Sequence, residues 1–102
     1  MLLIYLSCTS VQEAEKIAGE LIANRAAESV DIFPVSVVRR DAKRDIEKVE
    51  EAAMLVKTIE AKVHEVREIA ERNNSRRVPC VASFAAYRIN RKYKEHLTTM
   101  VG

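Results

Sequence analysis

The fold of this chain is decided by the stretch NRAAESVDIFP, residues 24–34, where a helical pattern ends and a strand pattern begins. Before it, small and aliphatic residues recur at helical spacing from Ala14 to Ile22. From Glu28 onward, apolar residues alternate with polar ones, as is typical of a half-buried strand. Pro34 cannot donate a hydrogen bond to a neighbouring strand, so it indicates a sheet edge or a bulge. The stretch therefore predicts a helix followed closely by a strand that has an edge or a bulge at Pro34.

The residues before this stretch predict a buried strand and a capped helix. Residues 2–8 form an apolar run with the length of a strand that is buried on both faces. Ser10 and Glu13 have the spacing of a capping box, in which the Glu13 carboxylate reaches back to the amide of the cap. We expect the helix to cover residues 11–24 and Asn24 to end it in the left-handed conformation.

Residues 46–73 favour two different structures. They contain no Gly or Pro, so helix propensity alone predicts one long helix. The apolar run from Ala52 to Val56 also suits a buried strand, and Thr58 could cap a helix that follows it. We divide the segment into a strand and a helix, near residues 47–58 and 59–73.

The remaining segments complete an α+β pattern. Residues 39–45 are charged and lack apolar periodicity, which predicts a loop or a hairpin tip. Residues 78–87 are predicted to form a strand, and Asn90 to cap a short last helix. The order βαββαβ with right-handed crossovers gives a ferredoxin-like sandwich with a C-terminal helix and a long hairpin of the second and third strands. A chain of this length is expected to be one domain, residues 1–102.

The composition argues against several classes of function. Seventeen basic and fifteen acidic residues leave a net charge of +2, and only 5% of residues are aromatic, so nothing favours nucleic acid as a partner. No apolar run reaches the roughly 18–20 residues of a membrane helix, and the N-terminus lacks the basic residues of a signal peptide. We expect a cytoplasmic protein with no membrane partner. Cys8 and Cys80 are then buried, reduced thiols, or else a reactive or metal-binding pair.

Five short segments follow one another in an order and at separations that an unrelated chain of this length would rarely have. They are Ile4-Tyr5, residues 14–18, residues 25–34, residues 54–58 and Val78-Pro79. Together they resemble the CutA family of divalent-cation-tolerance proteins. The resemblance implies a non-catalytic homotrimer, in which long hairpins of neighbouring subunits pair edge to edge, and a response to divalent metal ions. It also implies a divalent cation such as copper as the ion concerned.

The chain departs from the family pattern where a metal would be held. Ser29 stands where the family usually has Cys, and residues 74–79 lack the His, Tyr and Asp of the family's H-P-Y-D-V-P segment. Soft metals prefer thiolate or imidazole, so Ser and Asn are poor replacements. Arg76 and Arg77 would also repel a cation. Cys80 is the one remaining candidate for a metal ligand.

Four residues are candidates for binding a ligand: Ser29, Lys57, Arg76 and Arg77. Lys57 could line a pocket between subunits and pair with an anion, or it could pair with a carboxylate such as Glu50 or Glu51. The arginine groups could form a basic ring that holds phosphate or a nucleotide, or they could form a solvated face.

Two functions stay open on the sequence. One is a CutA-like trimer with its working surface near Ser29, Lys57 and Arg77. The other is a ligand-sensing trimer akin to PII-type signalling proteins, which would bind an anionic small molecule. A small enzyme is disfavoured, because no acid, base and nucleophile can be assembled from the sequence. His64 and His96 lack the spacing of a metalloenzyme motif and are predicted to be exposed polar residues.

Overall fold

The computed structural model, which describes residues 1–76 and 78–102, confirms the predicted α+β sandwich. Its elements in chain order are β1 (Leu2–Cys8), α1 (Val11–Ala23), β2 (Ser29–Arg40), β3 (Ile46–Thr58), α2 (Val63–Asn73), β4 (Val81–Ala85) and α3 (Arg91–Met100). The four strands form one sheet in the order β2-β3-β1-β4, and every neighbouring pair is antiparallel. No helix in the described part of the chain is long and apolar enough to cross a membrane.

The core lies between one face of the sheet and the first two helices. Every second side chain of β1 is buried, because successive side chains of a strand point to opposite faces. The buried residues of α1 and α2 recur at helical spacing and pack against that face. They are Ala14, Ile17 and Leu21 on α1, and Val66, Ile69 and Ala70 on α2. The other face of the sheet carries half-buried residues such as Tyr5 and Leu55.

The segment of residues 46–58 is a strand, although helix propensity favoured a helix. Met54 pairs with Leu6 of β1 on one side and with Ile32 of β2 on the other, so β3 is hydrogen-bonded along both edges. The prediction that Thr58 caps the next helix is wrong. Thr58 ends β3 instead, where it is fully buried and its hydroxyl donates to the Ala26 carbonyl at 2.6 Å.

Two further elements have bounds that differ from the predictions. A 3-10 turn at Glu60–Lys62 precedes α2, so the α-helix itself starts later than expected. β4 covers five residues rather than the ten of the predicted strand. Cys80 therefore precedes the strand, and its thiol is exposed rather than buried. Cys8 is buried as predicted.

The hairpin of β2 and β3 is longer and more regular than the sequence indicated. The prediction of a loop over residues 39–45 is wrong for Arg39 and Arg40, which belong to β2. The tip itself is tight, since Oδ1 of Asp41 accepts the backbone N–H groups of Lys43 at 2.8 Å and Asp45 at 3.0 Å. The register runs through Pro34 without a bulge, which places the proline on an edge strand as expected.

The left-handed residue after α1 is Arg25, with φ of 55°, and not Asn24, whose φ is −90°. A side chain other than glycine is strained in this conformation. Two hydrogen bonds between Arg25 and the last residues offset this strain. The Arg25 guanidinium donates to the Thr99 carbonyl at 3.0 Å, and the Arg25 carbonyl accepts the N–H of Gly102 at 3.0 Å. The Arg25 guanidinium thus satisfies a free carbonyl at the C-terminus of α3, where positive charge is favourable.

We expect Arg25→Gly to be more stable than Arg25→Ala by about 1 kcal/mol, because glycine adopts positive φ without strain while both variants lose the guanidinium. Chemical denaturation of the two variants at equal protein concentration measures the difference. Equal free energies of unfolding would show that the backbone at this position is unstrained.

Candidate functional site

The carboxylate of Glu28, the residue before β2, hydrogen-bonds to three other side chains. Glu28 is fixed by its backbone N–H, which donates to the Lys57 carbonyl at 2.9 Å. Its Oε2 accepts the hydroxyl of Ser29 at 2.5 Å and that of Tyr93 at 2.5 Å. Its Oε1 hydrogen-bonds to Nε2 of His96 at 3.1 Å. We call these four residues the Glu28 cluster, and it ties α3 to the edge of the sheet.

The hydrogen bonds set the ionisation of the cluster. The hydroxyls of Ser29 and Tyr93 stabilise the charged carboxylate, so they hold the pKa of Glu28 below its ordinary value of 4.5. Burial and the hydrogen bond to Glu28 raise the pKa of Tyr93 from 10.0 to about 12. Glu28 is therefore ionised and Tyr93 is neutral at neutral pH. The bond between them stabilises the fold above the ordinary pKa of Glu28, and it is lost as the pH falls through the lowered value.

Tyr93 gives a measurable pH dependence on the alkaline side. Because the pKa of Tyr93 is raised on folding, its contribution to stability is complete below pH 10 and is lost as the pH rises through about 12. We expect the tyrosinate absorbance of the parent, minus that of Tyr93→Phe, to titrate near pH 12. A difference curve centred at pH 10 would mean that Tyr93 is not bonded to Glu28.

Two of the predicted ligand-binding residues meet beside this cluster. Ser29 and Lys57 are register partners on β2 and β3. Nζ of Lys57 lies 3.0 Å from Oδ1 of Asp31, with 23% and 51% of the two side chains exposed. Lys57 thus has a carboxylate partner, but the partner is Asp31 rather than the expected Glu50 or Glu51. The Lys57 ammonium and the Asp31 carboxylate therefore place one positive and one negative charge side by side near one end of the sheet.

The other two predicted residues do not join this site within one chain. Arg76 donates to Glu51, which also accepts from Arg39 at 3.0 Å. Glu51 is six residues from Lys57 on β3, about 20 Å along the strand. Arg77 lies outside the described residues. The Nε atom of Arg76 is buried and has no hydrogen-bond partner among the described residues, so this arginine has one donor to spare.

A groove runs beside the Glu28 cluster, between α1 and the start of β2. Its volume is about 620 Å³. Its lining is mostly apolar and includes Glu28 and Ser29. The other lining residues are Ala18, Gly19, Ile22, Ala23 and Val30. A mostly apolar groove with a few polar groups is the usual form of a binding site.

The described residues of one chain do not form a metal centre of three or more ligands. Within residues 1–76 and 78–102, no three His, Cys, Asp or Glu side chains are placed to hold an ion together. Burial raises the pKa of the Cys8 thiol, which donates to backbone carbonyls. Cys80 is exposed, and in the described structure it belongs to no group of three or more His, Cys, Asp or Glu side chains that could hold an ion. The carboxylates of Glu28 and Asp31 are already bonded to protein donors.

We therefore expect calorimetric titration with Zn²⁺ to give no saturable binding in Cys80→Ser, since that variant lacks the one exposed thiol. The parent serves as the comparison and reports any weak binding by the thiol. A saturable isotherm in Cys80→Ser would show that side chains other than the Cys80 thiol bind Zn²⁺.

Three members of the Glu28 cluster were missed by sequence reasoning. Glu28 and Tyr93 are 65 residues apart, and His96 is 68 residues from Glu28. His96 is half exposed, as predicted for a surface histidine, but it bonds to Glu28. His64 is exposed as predicted. The one available signal was that Tyr93 and His96 lie three residues apart, on one face of a helix.

Comparison with known proteins identifies the family. Residues 2–100 match the model of the CutA1 divalent ion tolerance protein family. The chain belongs to the CutA1 divalent ion tolerance family. It is 39% identical over 95 residues to the divalent-cation tolerance protein CutA of Archaeoglobus fulgidus, covering 92% of this chain and 88% of that protein. This relationship favours the CutA-like interpretation over the PII-like one.

Solved structures of CutA proteins share the fold. The structure described as the periplasmic divalent cation tolerance protein CutA from Archaeoglobus fulgidus superposes with a TM-score of 0.92 at 31% identity, and each chain is covered completely. CutA1 from Pyrococcus horikoshii superposes with a TM-score of 0.93 at 20% identity, covering 100% of this chain and 99% of that one. At that identity the second likeness supports the fold alone.

Proposed function

We propose that this CutA1 family member acts in divalent-cation tolerance as a non-catalytic, single-domain protein of the cytoplasm. The observation that carries the proposal is the family match over residues 2–100, together with the 39% identity to a protein named for divalent-cation tolerance. The two free cysteines, one of them exposed, suit a reducing compartment.

The absence of catalysis is supported by the hydrogen bonds of the Glu28 cluster. A serine nucleophile needs a base that accepts its proton, and the base is usually a histidine held by a third group. Here the hydroxyl of Ser29 donates to Glu28, and His96 bonds to the other oxygen of the same carboxylate. Ser29 and His96 are therefore both engaged with Glu28 rather than with each other, and Glu28 is a weak base because the hydroxyls of Ser29 and Tyr93 lower its pKa.

The proposed assembly is a homotrimer that pairs along the outer edge of β2. β2 has twelve residues and is hydrogen-bonded only to β3 within the described chain. It also exposes apolar side chains, with 43% of Phe33 and 67% of Val38 accessible. A long edge strand of this kind invites pairing with another chain unless it is covered.

In such a trimer we propose that the working surface lies in the clefts between subunits. Ser29 and Lys57 would supply the part of each cleft beside the Glu28 cluster. Arg76 of the same chain bonds to Glu51, about 20 Å along β3 from Lys57, so it would contribute to another part of the surface, and we propose Arg77 for that part as its neighbour in sequence.

A growth experiment tests the proposed function. The chain is expressed in a bacterium that lacks its own CutA-type protein, and growth is measured over a series of copper concentrations against cells carrying an empty vector. We expect growth to extend to higher copper concentrations. Growth equal to that of the vector control, with the folded protein present in the cells, would contradict a role in tolerance.

A further inference from the structure

Gly19 lies in the interior of α1, although packing among the described residues does not require a glycine there. Its φ is not positive, and a Cβ atom built on it would meet no described atom within 4 Å. Glycine in the interior of a helix weakens that helix relative to alanine. Gly19 lines the groove between α1 and β2, so the missing side chain leaves open space in that groove.

The walls around this space are apolar and remain accessible to solvent. Ala18, Ile22 and Ala23 lie close to Gly19 on α1, and Val30 lines the groove from β2. Ile22 is 44% exposed although it is a large aliphatic residue. Covering such surface with an apolar body is favourable. The groove volume of about 620 Å³ lies in the range of small-molecule sites, roughly 300–1,000 Å³.

The polar groups of the groove are hydrogen-bond acceptors beside a negative charge. Glu28 is the one ionisable residue among those that line the groove in the described structure. The hydroxyls of Ser29 and Tyr93 both donate to its Oε2 atom, so their protons are already used. Lone pairs remain on Oε1 of Glu28, which is bonded to His96, and on Oγ of Ser29. A ligand that meets these atoms must therefore supply the donor.

We propose that the groove between α1 and β2 binds a small organic amine, whose ammonium group donates to Glu28 and Ser29. The aliphatic or aromatic body of the amine covers Ile22 and lies over the backbone of Gly19. An alcohol can donate a hydrogen bond there but leaves the charge of Glu28 unopposed, and an organic anion is repelled by it. The site is formed by one chain, so it depends neither on the proposed trimer nor on a role in cation tolerance.

Three indole compounds test the proposal on the unaltered protein. Tryptamine, tryptophol and indoleacetate share one ring and carry an ammonium, a hydroxyl and a carboxylate. The chain contains no tryptophan, so the indole fluorescence of each probe is measured without that background. Anisotropy titrations should show tryptamine binding at least ~10-fold more tightly than tryptophol, because a hydrogen bond to a charged group contributes that much. Equal affinities, tighter binding of indoleacetate, or no saturable binding of tryptamine would overturn the proposal.

Glu28→Gln separates the effect of the charge from that of the apolar walls. The variant keeps the length of the side chain and one acceptor oxygen. We expect tryptamine to weaken about tenfold or more, to the level of tryptophol, while tryptophol itself changes by less than about twofold. Circular dichroism checks that the variant is folded. If the preference for tryptamine survives in Glu28→Gln, the carboxylate does not bind the amine and the proposal is wrong.

Gly19→Leu tests the place of binding and does not alter the Glu28 cluster. It fills the groove, whereas Gln12→Leu adds the same side chain at an exposed position of α1 about 10 Å away along the helix. We expect Gly19→Leu alone to weaken tryptamine and tryptophol about tenfold or more. Unchanged affinities would place the binding elsewhere. If Gly19→Leu instead lowers the mass measured by light scattering and Gln12→Leu does not, a second copy of the chain covers the groove, and the proposal of an amine fails.

Discussion

Glu28→Ala is expected to release α3 and to lower the free energy of unfolding by about 2–4 kcal/mol, since hydrogen bonds to a charged group each contribute about 1.5–3 kcal/mol. The variant removes the acceptor of both Tyr93 and His96, the two side chains that join α3 to the start of β2. The Tyr93 hydroxyl is left without a partner in a partly buried site, which adds to the loss. Thermal unfolding at equal protein concentration measures the change, and hydrogen exchange of the α3 backbone shows whether this helix opens first.

The matched control for this variant is Glu95→Ala. Glu95 lies on α3 itself and pairs with Arg91 one turn away, and both side chains are largely exposed. An exposed pair of this kind contributes at most about 0.5 kcal/mol. If Glu28→Ala is no more destabilising than Glu95→Ala, the Glu28 cluster does not hold α3.

The second large effect is expected at Glu51. Only 7% of its side chain is exposed, and its two oxygens accept from Arg39 and Arg76. In Glu51→Ala the two guanidiniums lose their shared anion and repel each other. Removing one partner of a buried ion pair costs about 3–5 kcal/mol, and the partial exposure of the arginines reduces our expectation to about 2–3 kcal/mol.

Glu50→Ala is the control for Glu51, because it removes the neighbouring carboxylate from the opposite face of β3. Glu50 accepts from Ser36 at 2.8 Å in an exposed position, so we expect a change within about 0.5 kcal/mol. Urea denaturation of the two variants compares them directly. Equal effects would mean that the Arg39–Glu51–Arg76 arrangement contributes nothing beyond an ordinary surface carboxylate.

The sequence predicted those parts of the fold whose signals are local. The Ser10 and Glu13 pair begins α1 as expected, with Ser10 Oγ accepting the Glu13 N–H, although Glu13 reaches the Thr9 N–H rather than that of the cap. The alternation after Glu28 predicted β2. Each of these patterns is complete within about four residues, so residues that are close in sequence are sufficient to predict it.

Long-range contacts decided the features that the sequence did not predict. Thr58 resembles a helix cap because it precedes apolar residues at helical spacing. In the structure its hydroxyl instead donates to the Ala26 carbonyl. Arg25 occupies a position suited to glycine because its guanidinium reaches the end of α3, 74 residues away. Lys57 meets Asp31 because β2 and β3 are in a register that only the folded hairpin fixes.

The candidate site was predicted in part for the same reason. Ser29 and Lys57 were chosen from the resemblance and do lie together. Glu28, which binds both Ser29 and α3, had no motif to mark it, since its partners Tyr93 and His96 are distant in sequence. The position of Arg76 beside Glu51 likewise depends on the length of β3.

The mass of the protein in solution tests the assembly most directly, because the proposed clefts between subunits and the pairing of the β2 edge both depend on it. Multi-angle light scattering of the eluting protein should give about 34.5 kDa, three times the 11.5 kDa of one chain. A mass of 11.5 kDa at micromolar concentration would contradict the account, since the β2 edge would then have no partner.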